Sequence, residues 1–207
     1  MQKQNRTAIS HENPQIEIYT SIIGDRDETR NDIKCFTEYS QFKRPVMNAK
    51  IYKVLPHKYL DCDISIWVDG NIFPLVSKEE LVDEFLGDAD MALFTHPLRK
   101  NIWDEFDILQ KDERFNIDYL QSQLKKQEES YRKTLEKDCP IWECNFIIRR
   151  NNDKVNSLME KWWAEICRWQ WRDQVSLPYV IKNSGVNINS INSNIRKNKF
   201  FRHVEHD

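Results

Sequence analysis

The stretch with the clearest chemical potential is Ile66-Trp67-Val68-Asp69-Gly70-Asn71, where an apolar run ends on a carboxylate, a glycine and an amide. Two oxygen donors so placed suit a hard divalent cation. Mg2+ and Mn2+ take oxygen ligands and are commonly held by one or two carboxylates together with substrate phosphates. Asp-Gly is most commonly a turn dipeptide, and spacing alone favours the turn; the position after so apolar a run makes the two readings comparable. Asp61 and Asp63 lie before the run and belong to its opposite end.

Other groups share this potential. Lys50, Lys53, His57 and Lys58 precede the apolar run as a basic set suited to phosphate. They also fit the outer face of an amphipathic helix, with Ile51, Val54 and Leu55 turned inward. In Thr95-His96-Pro97-Leu98-Arg99, His96 can bind substrate or phosphate and Arg99 can pair with an anion; a lone histidine also serves as a hydrogen-bonded structural residue. Glu143 stands among Trp142, Cys144, Phe146 and Ile147. A carboxylate in such company is costly unless paired or set in a cleft, which makes it a candidate general base; a solvent-facing alternate position is the other reading. Arg172-Asp173-Gln174 interrupts a region dense in Trp162, Trp163, Trp169 and Trp171, and reads as a buried ion pair or a sugar-binding patch. Asp25 and Asp27 follow Gly24 as turn formers. His203 and His206 either close over a metal or diphosphate or end a frayed tail, and the sequence by itself favours the tail.

These residues need elements to hold them. Residues 15–23 alternate and are rich in β-branched and aromatic types, which predicts a strand ended by the turn at Gly24. Residues 33–39, 63–68, 91–94 and 142–149 predict further strands, and 49–55 a helical turn closed by Pro56. Ser77 with Glu80 forms a capping box opening a helix over 78–86. From Ile102 to Lys137 the Gln/Lys/Glu-rich composition with helically spaced apolar residues predicts one long amphipathic helical region. Residues 155–171 predict a helix, 173–181 a second one broken at Pro178, and the Asn-rich stretch from Val186 a tail. Strands alternating with helices make an α/β domain with a mixed, mostly parallel sheet flanked by helices. Ligands in such sheets bind beyond the carboxyl ends of the strands, which gathers 20–27, 69–71, 96–99 and 143–145 on one rim.

The 207 residues carry 31 Lys+Arg and 33 Asp+Glu, a formal charge of −2. That balance gives no global basic field, so nucleic acid is not an expected partner. With 40% hydrophobic residues a sizeable core is available, and 4 Gly and 7 Pro exclude linker-rich or collagen-like chains. Five cysteines without Cys-x-x-Cys spacing read as reduced thiols and, with no apolar leader, place the chain in the cytoplasm. No stretch reaches the roughly 20 apolar residues of a membrane span. Residues 1–14 are expected to be a flexible segment and 15–207 one domain; the oligomeric state is open.

Taken in order, Ile18-Tyr19-Thr20-Ser21-Ile22-Ile23-Gly24-Asp25, Lys53-Val54-Leu55-Pro56-His57-Lys58-Tyr59, Ser65 to Ile72, Phe94-Thr95-His96-Pro97 and Arg172 to Leu177 form a series more specific than any member. From about Ile16 to Ile181 it resembles the glycosyltransferase-like domain family of bacteria, viruses and plants whose plant members act in cell-wall polysaccharide synthesis. The resemblance implies a compact GT-A-like, Rossmann-type enzyme, with a nucleotide-sugar donor, a glycan-type acceptor, hexosyl or deoxyhexosyl transfer and Mn2+ or Mg2+. It implies that Thr20, Ile22 and Asp27 line the base pocket and that Lys53 and His57 face the sugar nucleotide. His96, Arg99, Arg172 and Gln174 would add substrate contacts. Asp69 and Asn71 take the place of the Asp-x-Asp metal motif, Asn71 standing where a second carboxylate is usual, with His206 as a late metal ligand. Asp173 or Glu143 would deprotonate the acceptor. A metal-dependent phosphodiesterase or nuclease built on Asp69, Glu143 and Lys53, and a non-catalytic sugar-nucleotide binding module, remain the alternatives.

Overall fold

The computed structural model describes residues 14–24 and 28–205. The expected flexible segment therefore falls, Pro14 apart, outside the described residues, as do Asp25, Asp27 and His206. The chain runs β1 (Ile16–Ser21), β2 (Lys34–Phe36), α1 (Pro45–Val54), β3 (Ile64–Val68), β4 (Ile72–Pro74), α2 (Lys78–Phe85), β5 (Met91–Thr95), α3 (Ile102–Leu109), α4 (Asp118–Arg132), β6 (Trp142–Arg150), α5 (Asp153–Arg168), α6 (Asp173–Ile181), β7 (Ile188–Ile191) and β8 (Phe201–His203). Every strand expected from alternation is present. Gly24 takes φ +100°, the conformation that favours glycine at the end of β1.

The main sheet has the order β2-β1-β3-β6-β5-β7. All its neighbours are parallel except at β6, which runs against both β3 and β5. The sheet is mixed and mostly parallel, as expected. Period-two alternation divides its side chains between two cores. Tyr19, Trp67, Leu93 and Ile147 pack under α1, α5 and α6, beside Trp162 and Leu177. Ile66, Val68, Phe94, Phe146 and Ile148 pack on the other face against Leu81 and Phe85 of α2.

Three expectations need correction. The region 102–137 is not continuous: Asn101 opens α3 with a capping box to Asp104, and Asp112 accepts from Arg114 N, setting a 3-10 turn at Glu113–Phe115 before α4 begins. Pro178 does not break α6. It removes one backbone donor, while burial of Asp173, Val175, Leu177 and Val180 holds the helix together. The stretch after Val186 is no frayed tail. Its β7 extends the sheet beside β5, and its β8 pairs with β4, His203 lying opposite Ile72. Ile195 and Phe201 are buried, and Phe201 packs on Phe85, Phe94 and Phe146.

Phe201→Ala is expected to cost about 3–5 kcal/mol, the range for emptying a buried aromatic site. Urea unfolding should show a lower midpoint at unchanged slope; an unchanged midpoint would return the C-terminal stretch to the status of a tail.

Candidate functional site

Beyond the carboxyl ends of β3 and β5 lies an open, polar cavity of about 540 Å3. The reversal of β6 brings the start of that strand to the same rim, so Glu143 and Asn145 line it with Asp69 and His96. Arg172, Asp173 and Gln174, at the start of α6, close another side. The rim rule thus assembles three of its four expected segments around one hollow. Ser21 of the first segment lines an adjoining hollow of about 220 Å3, with Trp67, Gly70 and Asn71.

Lys50 and Lys53 line both hollows. They lie three residues apart on α1 and therefore on one face, but it is the inner face, not the solvated one. Lys53 Nζ is 3.2 Å from Asp69 Oδ1 and 2.9 Å from Asp173 Oδ2, and Lys50 Nζ is 2.7 Å from that same Asp173 oxygen. Burial opposes ionisation of Asp173, but Lys50 and Lys53 outweigh it and hold the carboxyl well below the usual range. Burial likewise opposes charge on Lys53, and Asp173 with Asp69 more than reverses that. At Lys50 burial prevails and its ammonium is held below the ordinary lysine value.

The base of this arrangement is Arg149, 0% exposed. Its guanidinium donates to Lys53 O (2.6 Å), Tyr19 Oη (2.5 Å) and Ser65 Oγ (3.3 Å). Tyr19 Oη in turn donates to Tyr52 O at 3.2 Å. The last turn of α1 is therefore tied to β1, β3 and β6, and burial pushes the Tyr19 hydroxyl up to about 12.

Across the cavity Arg196 Nη1 donates to Glu143 Oε1 at 2.6 Å, leaving Glu143 Oε2 buried without a partner. Asn145 Oδ1 and Gln174 Oε1 are likewise buried and unpartnered. Arg172 (2.8 Å) and Arg99 (3.3 Å) converge on buried Glu105. His96 Nδ1 accepts from Leu98 N (3.2 Å) and Arg99 N (3.1 Å), which leaves Nε2 as the ring's donor. Burial holds His96 below the ordinary imidazole value.

Other expected site residues lie elsewhere. Thr20 is fully buried in β1, its hydroxyl unpartnered, and does not line the cavity. Ile22 is buried beyond β1, its N donating to Phe36 O at 3.0 Å. His57 faces α5, its Nε2 3.1 Å from Glu160 Oε1, with Lys58 2.6 Å from the same oxygen; of the basic set only Lys58 is exposed. Arg196 and Asn194 line the cavity and were not foreseen. The signal was the apolar pattern of Ile195, Phe200 and Phe201, which marks the segment as packed.

The Asp69-Gly70-Asn71 segment is a turn, with Ile72 N donating to Asp69 O at 2.9 Å. As donors for a divalent ion these residues fit poorly. They offer one negative charge between them, and Asp69 Oδ1 already accepts from Trp67 Nε1 (2.8 Å) and carries the Lys53 ammonium. Asn71 adds an amide oxygen, while its Nδ2 donates to Val204 O (3.1 Å) and His203 Nε2 (3.2 Å) and fastens the turn to β8. Among the described residues no three of His, Cys, Asp and Glu converge as ligands. None of the described helices is long and apolar enough to cross a membrane.

The TOD1/MUCI70 glycosyltransferase-like domain model matches residues 33–206, and the chain belongs to that family. Among solved structures, the WbbM bifunctional glycosyltransferase aligns over 85% of this chain and 44% of its own, at 11% identity and TM-score 0.47. Mouse xyloside xylosyltransferase 1 aligns over 76% and 63%, at 11% identity and TM-score 0.40. The galactosyltransferase LgtC aligns over 76% and 52%, at 13% identity and TM-score 0.39. The chain thus spans about half to two thirds of these three structures. No curated protein matches the chain by sequence.

Asp173→Asn is expected to destabilise the protein at neutral pH by about 3–5 kcal/mol, since it strips buried ammonium groups of their counter-ion. The native Asp173 value lies below the unfolded one of about 3.9. Its stabilisation is therefore complete above that value and is lost as pH falls through the native one. Denaturation free energies of the two proteins should converge progressively below about pH 4; a gap that stays constant into strong acid would refute the pairing.

Proposed function

We propose that the chain transfers a sugar from a nucleoside-diphosphate donor to a hydroxyl of a glycan-type acceptor within the 540 Å3 cavity. The observation that carries this reading is that one cavity lining holds two kinds of group. The ammonium groups of Lys50 and Lys53 are matched to phosphate. The unpartnered acceptors Glu143 Oε2, Asn145 Oδ1 and Gln174 Oε1 are matched to hydroxyl donors. A sugar diphosphate carries both complements in one molecule. Family membership supports the reaction class.

In this reading the bond from the sugar's anomeric carbon to the diphosphate oxygen breaks, and its electron pair leaves with the nucleoside diphosphate. The acceptor oxygen forms the new bond to that carbon, and its proton passes to a carboxylate. Asp173 is a poor base, because both lysines hold it ionised; a base must compete for a proton. Glu143, anchored by Arg196 through one oxygen and unpartnered at the other, takes the role. Direct displacement with such a base inverts the anomeric configuration. Asp173 acts through the lysines it positions. The smaller hollow beside Ser21 and Trp67 takes the nucleoside, and His96 Nε2 and Arg172 contact the sugar or acceptor. A phosphodiesterase built on Asp69 and Glu143 would call for converging metal ligands, which the described residues do not supply.

Incubation with a panel of nucleotide sugars and oligosaccharide acceptors should release nucleoside diphosphate and give a glycoside of inverted configuration by NMR. Glu143→Gln is expected to lower transfer about 100- to 10,000-fold, the usual contribution of a positioned base, with donor binding retained. A product of retained configuration, or full activity in the variant, overturns Glu143 as base. Donor binding without turnover by the wild type would reduce the domain to a binding module.

A further inference from the structure

We propose that in this chain the Lys50–Lys53 ammonium pair, and not a divalent cation, holds the donor diphosphate and receives the charge that develops on it. This deepens the donor reading above and rests on it. Four charges alternate in one series of contacts: Lys50, Asp173, Lys53, Asp69, at 2.7, 2.9 and 3.2 Å in turn. Lys53 therefore takes one oxygen of the Asp69 carboxylate, and a dication on the other would stand beside that ammonium. Two features of the chain make that substitution consistent. Asn71 supplies an amide and no second negative charge, and its nitrogen is committed to Val204 O and His203 Nε2. Asp69 Oδ1 is shared by Lys53 and the Trp67 indole.

Position and charge agree. The two lysines are common to the larger and smaller hollows, at the junction where a diphosphate linking a nucleoside to a sugar would lie. The cavity lining holds five cationic side chains, the lysine pair with Arg99, Arg172 and Arg196, against the carboxylates of Asp69, Asp173 and Glu143. Buried Glu105 offsets one more cation from behind Arg99 and Arg172. The site is thus cationic before any metal arrives, and a diphosphate brings the balancing negative charge. A dication would instead share its one carboxylate with an ammonium already in contact with it. Ammonium groups on a helix fixed by Arg149 are preorganised, so they stabilise a departing diphosphate without rearranging. In the transfer step the electron pair of the broken glycosidic bond moves onto the diphosphate oxygen, and the lysine protons remain on nitrogen as hydrogen-bond donors. No co-reactant beyond donor and acceptor is required.

The test is calorimetric titration of the full chain with UDP, GDP, ADP and CMP, in EDTA and in excess Mn2+. At least one nucleotide is expected to bind with a Kd that agrees between the two buffers within about twofold, and Lys53→Met should weaken it about 10- to 100-fold in both, as expected for loss of a charged hydrogen bond. Lys50→Gln, at a less enclosed position, should weaken it about 10-fold and guards against a misfolded Lys53 variant. Binding that appears only with Mn2+ overturns the inference and leaves the donor reading intact. Unchanged affinity in both folded lysine variants also overturns it. Absence of binding by every nucleotide in both buffers sinks the donor reading, and this proposal with it.

Discussion

A buried ammonium has to be paired, and Lys53 is the residue on which this requirement falls hardest. Its side chain is 6% exposed, so water cannot stabilise the charge and protein groups must. Satisfying it brings the end of α1, the end of β3 and the start of α6 to a single point. Arg149 fixes the same stretch of α1 from below, donating to the carbonyl of Lys53 itself. A guanidinium at the carbonyl end of a helix also meets the negative end of the helix dipole. The two cations thus work on one residue from opposite sides, one through its side chain and one through its backbone. The geometry of the cavity follows from them.

The second constraint is the direction of β6. In an all-parallel sheet its carboxyl end, Arg149 and Arg150, would reach the rim. Running against β3 and β5, it delivers Trp142 through Asn145 there instead. The register slips between Leu93 and Phe94, so that Phe94 stands opposite Glu143, and irregularities of this kind re-aim side chains near sites. The reversal puts Glu143 in the cavity and Arg149 in the core beneath it. One strand therefore supplies both a carboxylate of the cavity and the anchor of α1.

Much of this was legible from residue order. Apolar runs located β3, β5 and β6 because both faces of these strands are buried, in different cores; the strand-end rule singled out Asp69, His96 and Glu143, and the Arg172-Asp173-Gln174 triplet stood out as a polar interruption among tryptophans. What failed did so for definite reasons. Lys50 and Lys53 obey helical spacing, but spacing does not say which face meets two carboxylates, and polar residues on a helix are normally assigned to solvent. His57 shares their sequence neighbourhood and belongs to the next turn, facing Glu160. The C-terminal stretch read as a tail because asparagines dominated it. Its ordering comes from contacts made far along the chain, with β4 and β5, which local composition does not encode.

Buried acceptors without donors usually cost stability, about 1–3 kcal/mol each. Three of them, on Glu143, Asn145 and Gln174, face one cavity, while the cations nearby are already paired with carboxylates. The imbalance has a sign: these oxygens lack hydrogen-bond donors, while the lysines are committed to Asp69 and Asp173. A ligand bringing hydroxyl protons would relieve that deficit. In the reading proposed above, its phosphate oxygens would take the ammonium protons left over from the two carboxylates.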